Sequence, residues 1–198
     1  MTKIIGITGG IASGKSTLSK VLSNKGFKVH DSDFQVKKIY EQPTKKFLEY
    51  LKKIGLSKAV KENAINKNYI SAIIFSNPII KKKLEEFIFQ IVRKERQKFI
   101  TLEKKRKTKY IFIDVPLLFE NNLDHIFDLI ICVLSRKQIR YQRLKKNKKI
   151  SETKFKKIIS AQTIDKIRKK RSDILINNNQ SMEKYLKHIN HLIKKRFK

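Results

Sequence analysis

The sequence predicts an α/β fold, a mainly parallel sheet flanked by helices, and three observations carry that prediction. An apolar, β-branched run, Ile4-Ile5-Gly6-Ile7-Thr8, leads directly into Gly9-Gly10-Ile11-Ala12-Ser13-Gly14-Lys15-Ser16. Leu18, Val21 and Leu22 then repeat at helical spacing, so a glycine-rich loop joins a buried strand to a helix. Further strand-like runs alternate with helical patterns along the rest of the chain, as a parallel sheet with helical crossovers requires.

The loop carries the chemistry. Four of the six glycines (Gly6, Gly9, Gly10 and Gly14) fall in one nine-residue window. Glycines let the backbone curl so that successive N–H groups face inward, and the following helix presents its positive end to an anion. The G-x-x-x-x-G-K-[ST] spacing makes the loop, with Lys15 and Ser16, the expected phosphate-binding element. Lys15 would reach the β- and γ-phosphates, and the Ser16 hydroxyl would complete a Mg²⁺ shell. A turn that merely opens a helix would not need Lys15 and Ser16 together.

The remaining elements follow in order. Strands are expected at Lys3–Thr8, Phe27–Asp31, Tyr110–Val115, Asp128–Leu134 and Asp173–Ile176. Residues 34–109 read as helical with no clear strand, and Asn77 and Pro78 read as the cap and first turn of a long helix. An insertion this large is expected to be a helical substrate-binding unit. Residues 137–171 carry two or three short, very basic helices. A closing helix from about Met182 has Tyr185, Ile189, Leu192 and Ile193 as its buried stripe. The chain therefore reads as one domain, with a core of residues 1–33, 110–136 and 172–198 around two elaborations.

Composition bounds the rest. The chain has 198 residues, enough for a sizeable core, and no run of about 18 apolar residues that could span a membrane. Its single cysteine, Cys132, lies in an apolar run and reads as a core residue. The first strand begins almost at Met1, leaving no room for a targeting peptide, so a cytoplasmic location is expected. The net charge of +31 is mostly lysine and spread through the chain. It forms no stripe interleaved with aromatics, so it reads as a solvated surface rather than a specific nucleic-acid site.

Three more features fall at strand ends, where ligands of open α/β sheets bind. His30-Asp31-Ser32-Asp33 ends the second strand, with Asp33 expected to act on an attacking hydroxyl and Asp31 to be more structural. Asp114 ends the third strand and stands either as a metal-side carboxylate or as a structural one. Arg143 and Arg168, in the basic segment, are candidates for neutralising phosphate charge.

With these residues in hand, the chain resembles the dephospho-coenzyme A kinase family over nearly its full length. Ile7 to Thr17 is similar to the family's opening, and Asp31-Ser32-Asp33 stands at its Asp-x-Asp. Ile74-Phe75-Ser76-Asn77-Pro78, Pro116-Leu117-Leu118-Phe119-Glu120 and Ala161-Gln162 match further family elements in the same order. The resemblance implies a P-loop NTPase-type fold with residues 34–109 holding substrate and 137–171 forming a lid. It implies transfer of the γ-phosphoryl group of ATP to the ribose 3′-hydroxyl of dephospho-CoA, the last step of coenzyme A synthesis. Asp33, Lys15 and Arg143 would be catalytic, with Arg143 matching the first lid arginine, and Ala12, Ser13, Gly14, Lys15, Ser16, Thr17 and Arg168 would bind nucleotide. Four residues in three places depart from the family pattern. Phe89-Gln90 replaces a His-Pro, Asn147 stands at the second lid arginine, and Lys37 stands where arginine is frequent.

Two other readings remain at this point: a different small-molecule or nucleotide kinase on the same scaffold, and a basic nucleic-acid-binding protein with a regulatory ATP site. Oligomeric state is not legible in the sequence.

Overall fold

The computed structural model describes residues 1–148 and 150–198, and the side chains of Asn147 and Lys148 lie outside what is described. The chain forms two compact units, one from Met1–Asp31 with Ile100–Lys198, the other from Ser32–Phe99.

The first unit starts with β1 (Lys3–Gly9), whose six residues from Ile4 onward are buried, and α1 (Lys15–Asn24). β2 (Lys28–Asp31) ends where the second unit begins. That unit contains α2 (Ser32–Glu41), α3 (Lys45–Lys53), the paired strands β3 (Val60–Lys61) and β4 (Ala64–Ile65), and α4 (Lys67–Ser76). α5 (Pro78–Lys105) then leads back to β5 (Tyr110–Asp114) and β6 (Leu129–Leu134) of the first unit. α6 (Lys137–Lys148), α7 (Glu152–Ser160) and α8 (Asp165–Lys170) follow, and β7 (Ile174–Asn177) and α9 (Met182–Arg196) close the chain.

Among the described residues, the sheet of the first unit has the order β2-β5-β1-β6-β7, with every pairing parallel. β1 is central, and its residues from Ile4 to Gly9 are buried whichever face they point to, which fits an apolar run without alternation. One device recurs at the strand entries. Asp128 Oδ2 accepts from the Ile4 N–H, and Asp173 Oδ2 accepts from the Ile130 N–H, each at 2.7 Å. Each carboxylate satisfies a main-chain donor that the ladder leaves over.

Ile5, Ile7, Phe112, Ile131 and Val133 from the sheet pack with Leu18 and Leu22 of α1 and Tyr185, Ile189 and Ile193 of α9. Each such side chain contributes about 1.5–3 kcal/mol on burial. The Ser32–Phe99 unit has its own core, with Phe47, Leu51, Leu56, Ala59, Ile70 and Leu84 buried together. Phe87 stacks on Tyr50 with ring centroids 3.9 Å apart.

One expectation fails in this unit. It contains strands, because β3 and β4 pair antiparallel (Val60 with Ile65, Lys61 with Ala64) around Glu62 and Asn63 at φ 44° and 68°. Two residues per strand give no periodicity to read, and a left-handed Glu-Asn turn lacks the glycine that usually marks a hairpin. The long helix begins as its residues dictate, with Asn77 Oδ1 accepting from the Ile80 N–H at 3.0 Å and Pro78 in the first turn. No described helix is long and apolar enough to cross a membrane.

Candidate functional site

The phosphate loop sits between β1 and α1. Its last glycine, Gly14, has φ 106°, a conformation that strains other residues, and offers α1 no side-chain cap. A Cβ at Gly14 would also strike the Asn178 carboxamide. The first turn of α1 therefore turns main-chain donors toward the loop with no side-chain acceptor at the cap, the arrangement an anion fits.

Lys15 forms an ion pair with Asp114, the last residue of β5. Asp114 is 1% exposed, and its other oxygen accepts from the Ser19 hydroxyl at 2.6 Å. Burial pushes the Asp114 carboxyl above its ordinary range, and Lys15 and Ser19 pull part of that back. Asp31 lies opposite Asp114 in the β2–β5 register, and its charge raises Asp114 further. Asp31 thus stands half-buried at the sheet end, beside the Lys15–Asp114 pair. Asp33 opens the other unit, exposed in the first turn of α2.

The loop is braced by groups remote in sequence. Asn178 Nδ2 donates to the Ser13 carbonyl at 2.8 Å, and the Tyr185 hydroxyl donates to the Gly14 carbonyl at 3.0 Å. Burial pushes the Tyr185 phenol well above its ordinary range, so it stays a donor. Arg143 joins this brace. Its Nη1 donates to the carbonyls of Ala12 and Ser13 and to Ser135 Oγ at 3.2–3.4 Å, and its Nη2 donates to Asn178 O and Oδ1 at 2.9 and 3.0 Å. Both terminal nitrogens of the candidate lid arginine are therefore engaged with protein oxygens in this conformation.

A second arginine cluster meets the loop at Gly10. A Cβ there would collide with Arg140 Nη1 and stand 3.2 Å from Arg168 Nη1, so a larger residue would displace the Arg140 guanidinium. Arg140 and Arg168 are each 2% exposed. Arg168 pairs with Asp165 at 2.9 Å and Glu120 at 3.2 Å, and Arg140 pairs with Asp165 at 3.4 Å. Two buried cations thus face two carboxylates, which is how such charges are tolerated. Gln162 Oε1 accepts from the Ile11 N–H of the loop at 3.1 Å.

The structure gathers Ala12, Ser13, Gly14, Lys15, Ser16, Thr17, Arg143 and Arg168 around one loop, with the Ser16 side chain exposed. Arg140, Asn178, Tyr185 and Ser19 escape a reading of the sequence. Arg140 is one base among many, Tyr185 belongs to an apolar stripe, and Asn178 lies in an asparagine run. Lys37 makes an exposed pair with Glu41 at 3.7 Å. Phe89 is half-exposed, Gln90 lines a cavity of the Ser32–Phe99 unit, and Asn147 falls outside the described side chains. Among the described residues, no cluster of three histidine, cysteine or acidic side chains could hold a metal by itself.

Comparison with known proteins fits this geometry. A dephospho-CoA kinase from Fusobacterium nucleatum is 38% identical over 94% of each chain. One from Staphylococcus saprophyticus is 35% identical over 92% of this chain and 89% of its own. A solved protein of Thermus thermophilus has a TM-score of 0.80 at 25% identity, covering 100% of this chain and 99% of that one. A family model described as dephospho-CoA kinase matches residues 3–184, and by that span and those identities the chain belongs to the dephospho-CoA kinase family.

Proposed function

We propose that this protein transfers the γ-phosphoryl group of ATP to the ribose 3′-hydroxyl of dephospho-CoA. The observation that carries the reading is a phosphate loop opening an α1 without a side-chain cap, in a chain matched to the family over residues 3–184. In the transfer, a bond forms between the hydroxyl oxygen and the γ-phosphorus. The bond to the ADP oxygen breaks, and the hydroxyl proton passes to a carboxylate or to solvent.

Residues 12–17 take the phosphates, and Lys15 leaves Asp114 to meet the β- and γ-groups. Ser16, exposed at the second position of α1, and the nearby Asp114 are hard oxygen donors of the type Mg²⁺ accepts. Mg²⁺ would neutralise charge on the phosphate oxygens. Arg143 braces the loop through its carbonyls, and Arg168 contributes buried positive charge beside Gly10. The Ser32–Phe99 unit holds the acceptor. Asp33 holds the attacking hydroxyl in line, and Asp31 acts through the charge of the Lys15–Asp114 pair.

Steady-state kinetics with ATP, Mg²⁺ and dephospho-CoA, beside a panel of other alcohol acceptors, tests this. Asp33→Asn should keep nucleotide binding while turnover falls by roughly 10²–10⁴-fold, as for a positioned acid or base. Asp31→Asn should cost less. The opposite ranking, with both variants folded, would move the role to Asp31, and preference for another acceptor would overturn the substrate.

A further inference from the structure

The Ala161-Gln162 pair has no task in the transfer as outlined, although its side chain touches the phosphate loop. Ala161 closes α7, and the Gln162 N–H donates back to the Ile159 carbonyl at 3.0 Å. The next residue is fixed as well, because the Thr163 N–H donates to Glu120 Oε1 at 2.6 Å, the same oxygen that Arg168 holds. Gln162 is therefore presented from a turn pinned on both sides.

Its carboxamide orientation is set by chemistry. The Ile11 N–H can only donate, so the group bonded to it at 3.1 Å is the amide oxygen, and the NH₂ end points away from that bond. The NH₂ group makes no hydrogen bond to protein among the described residues, and Gln162 lines two cavities of the α6–α8 segment, of about 140 and 620 Å³. With its oxygen holding the Ile11 N–H, Gln162 thus offers two side-chain donors beside the loop, on a cavity wall it shares with Lys137, Arg140 and Arg168.

Ile11 precedes Gly14 on the β1 side of the loop, whereas the inner phosphates belong to the N-terminus of α1. A group attached to the Ile11 N–H therefore borders the outer end of the phosphate chain. The charge balance also suits a neutral donor there, since Arg140 and Arg168 already face Asp165 and Glu120.

We propose that Gln162 is a phosphoryl-contacting residue, its oxygen anchored on the Ile11 N–H and its nitrogen donating to an oxygen of the transferred γ-phosphoryl group. The proposal rests on the phosphate-loop reading. A donor already fixed in place stabilises charge that shifts onto those oxygens in the transition state, without reorganising at that moment.

The test compares binding of ADP and of a non-hydrolysable ATP analogue, together with turnover, for the unaltered protein, Gln162→Ala and Gln162→Glu. Gln162→Ala should bind ADP normally, bind the ATP analogue roughly ten-fold more weakly, and lose about 10²–10³-fold in kcat. Gln162→Glu keeps an acceptor for the Ile11 N–H but has no donors. It should melt like the unaltered protein and lose at least as much kcat as the alanine variant. Equal weakening of ADP and ATP analogue in Gln162→Ala, or near-normal kcat in Gln162→Glu, would reduce Gln162 to a structural anchor and overturn the proposal. Failure of the unaltered protein to bind ADP would instead bring down the phosphate-loop reading, and this assignment with it.

Discussion

Lys15 and Asp114 make each other tolerable at the end of β5, since the carboxylate is buried and the ammonium is its main counter-charge. Asp114 titrates above its ordinary value in the folded protein, so the fold holds its proton longer than the unfolded chain does. Stability from this group is full at acid pH and is lost as pH rises through the raised value. Lys15→Ala removes the ammonium and raises Asp114 further. The variant should fold, lose about 10²–10³-fold in turnover, and show a larger stability deficit at pH 8 than at pH 5 in thermal melts. Unaltered turnover would remove Lys15 from the site. Cys132 offers a second residue-scale test. It is fully buried, and burial pushes its thiol from 9.0 up to about 11. The unfolded thiol ionises first, so this group's contribution is intact below pH 9 and lost as pH rises toward about 11. Native protein should resist a thiol reagent at pH 8 and react once denatured, and rapid native labelling would show that the β6 face opens.

At the scale of elements, the basic segment 137–171 is pinned at both ends. Arg140 and Arg143 of α6 contact the loop at one end, and Gln162, Arg168 and Arg171 are tied at the other. α7 lies between them, capped by Ser151, with Phe155 packed on Tyr141 at a ring separation of 5.2 Å. Lid motion is therefore expected of α7 rather than of the whole segment. Amide exchange in α7 should slow when an ATP analogue binds while exchange in α6 changes little, and equal protection of α7 with and without nucleotide would count against a lid. Elements were legible in the sequence where local signals were strong. The Asn77-Pro78 start of α5, the β1–loop–α1 unit and the α9 stripe each carry their instruction in a few consecutive residues. The β3–β4 hairpin was not legible, because its geometry rests on a two-residue turn of Glu62 and Asn63 that nothing adjacent announces.

For the whole molecule, two cores imply two regions of separate stability. Leu51 is fully buried in the Ser32–Phe99 unit, and Leu51→Ala should destabilise that unit by about 2–5 kcal/mol. Hydrogen exchange should quicken across residues 32–99 and much less in the sheet, whereas uniform acceleration would mean that the chain unfolds as one body. The net charge of +31 enters this stability only weakly. Exposed pairs such as Lys81–Glu85 and Lys187–Glu183 each contribute at most about 1 kcal/mol.

By itself the sequence determined the parallel α/β class, the phosphate loop with Lys15 and Ser16, the helical stretch after Asp33 and the family. These are local patterns of period, glycine placement and short motifs, and local sterics read them directly. Only the tertiary structure decided that Arg143 lies on the carbonyls of Ala12 and Ser13, that Arg140 and Arg168 close on Gly10, and that Gln162 reaches Ile11 across 151 residues. Among 48 lysines and arginines, sequence cannot single out the few that are buried. Burial, and the carboxylate or carbonyl that pays for it, is settled by which distant segments the sheet order brings together.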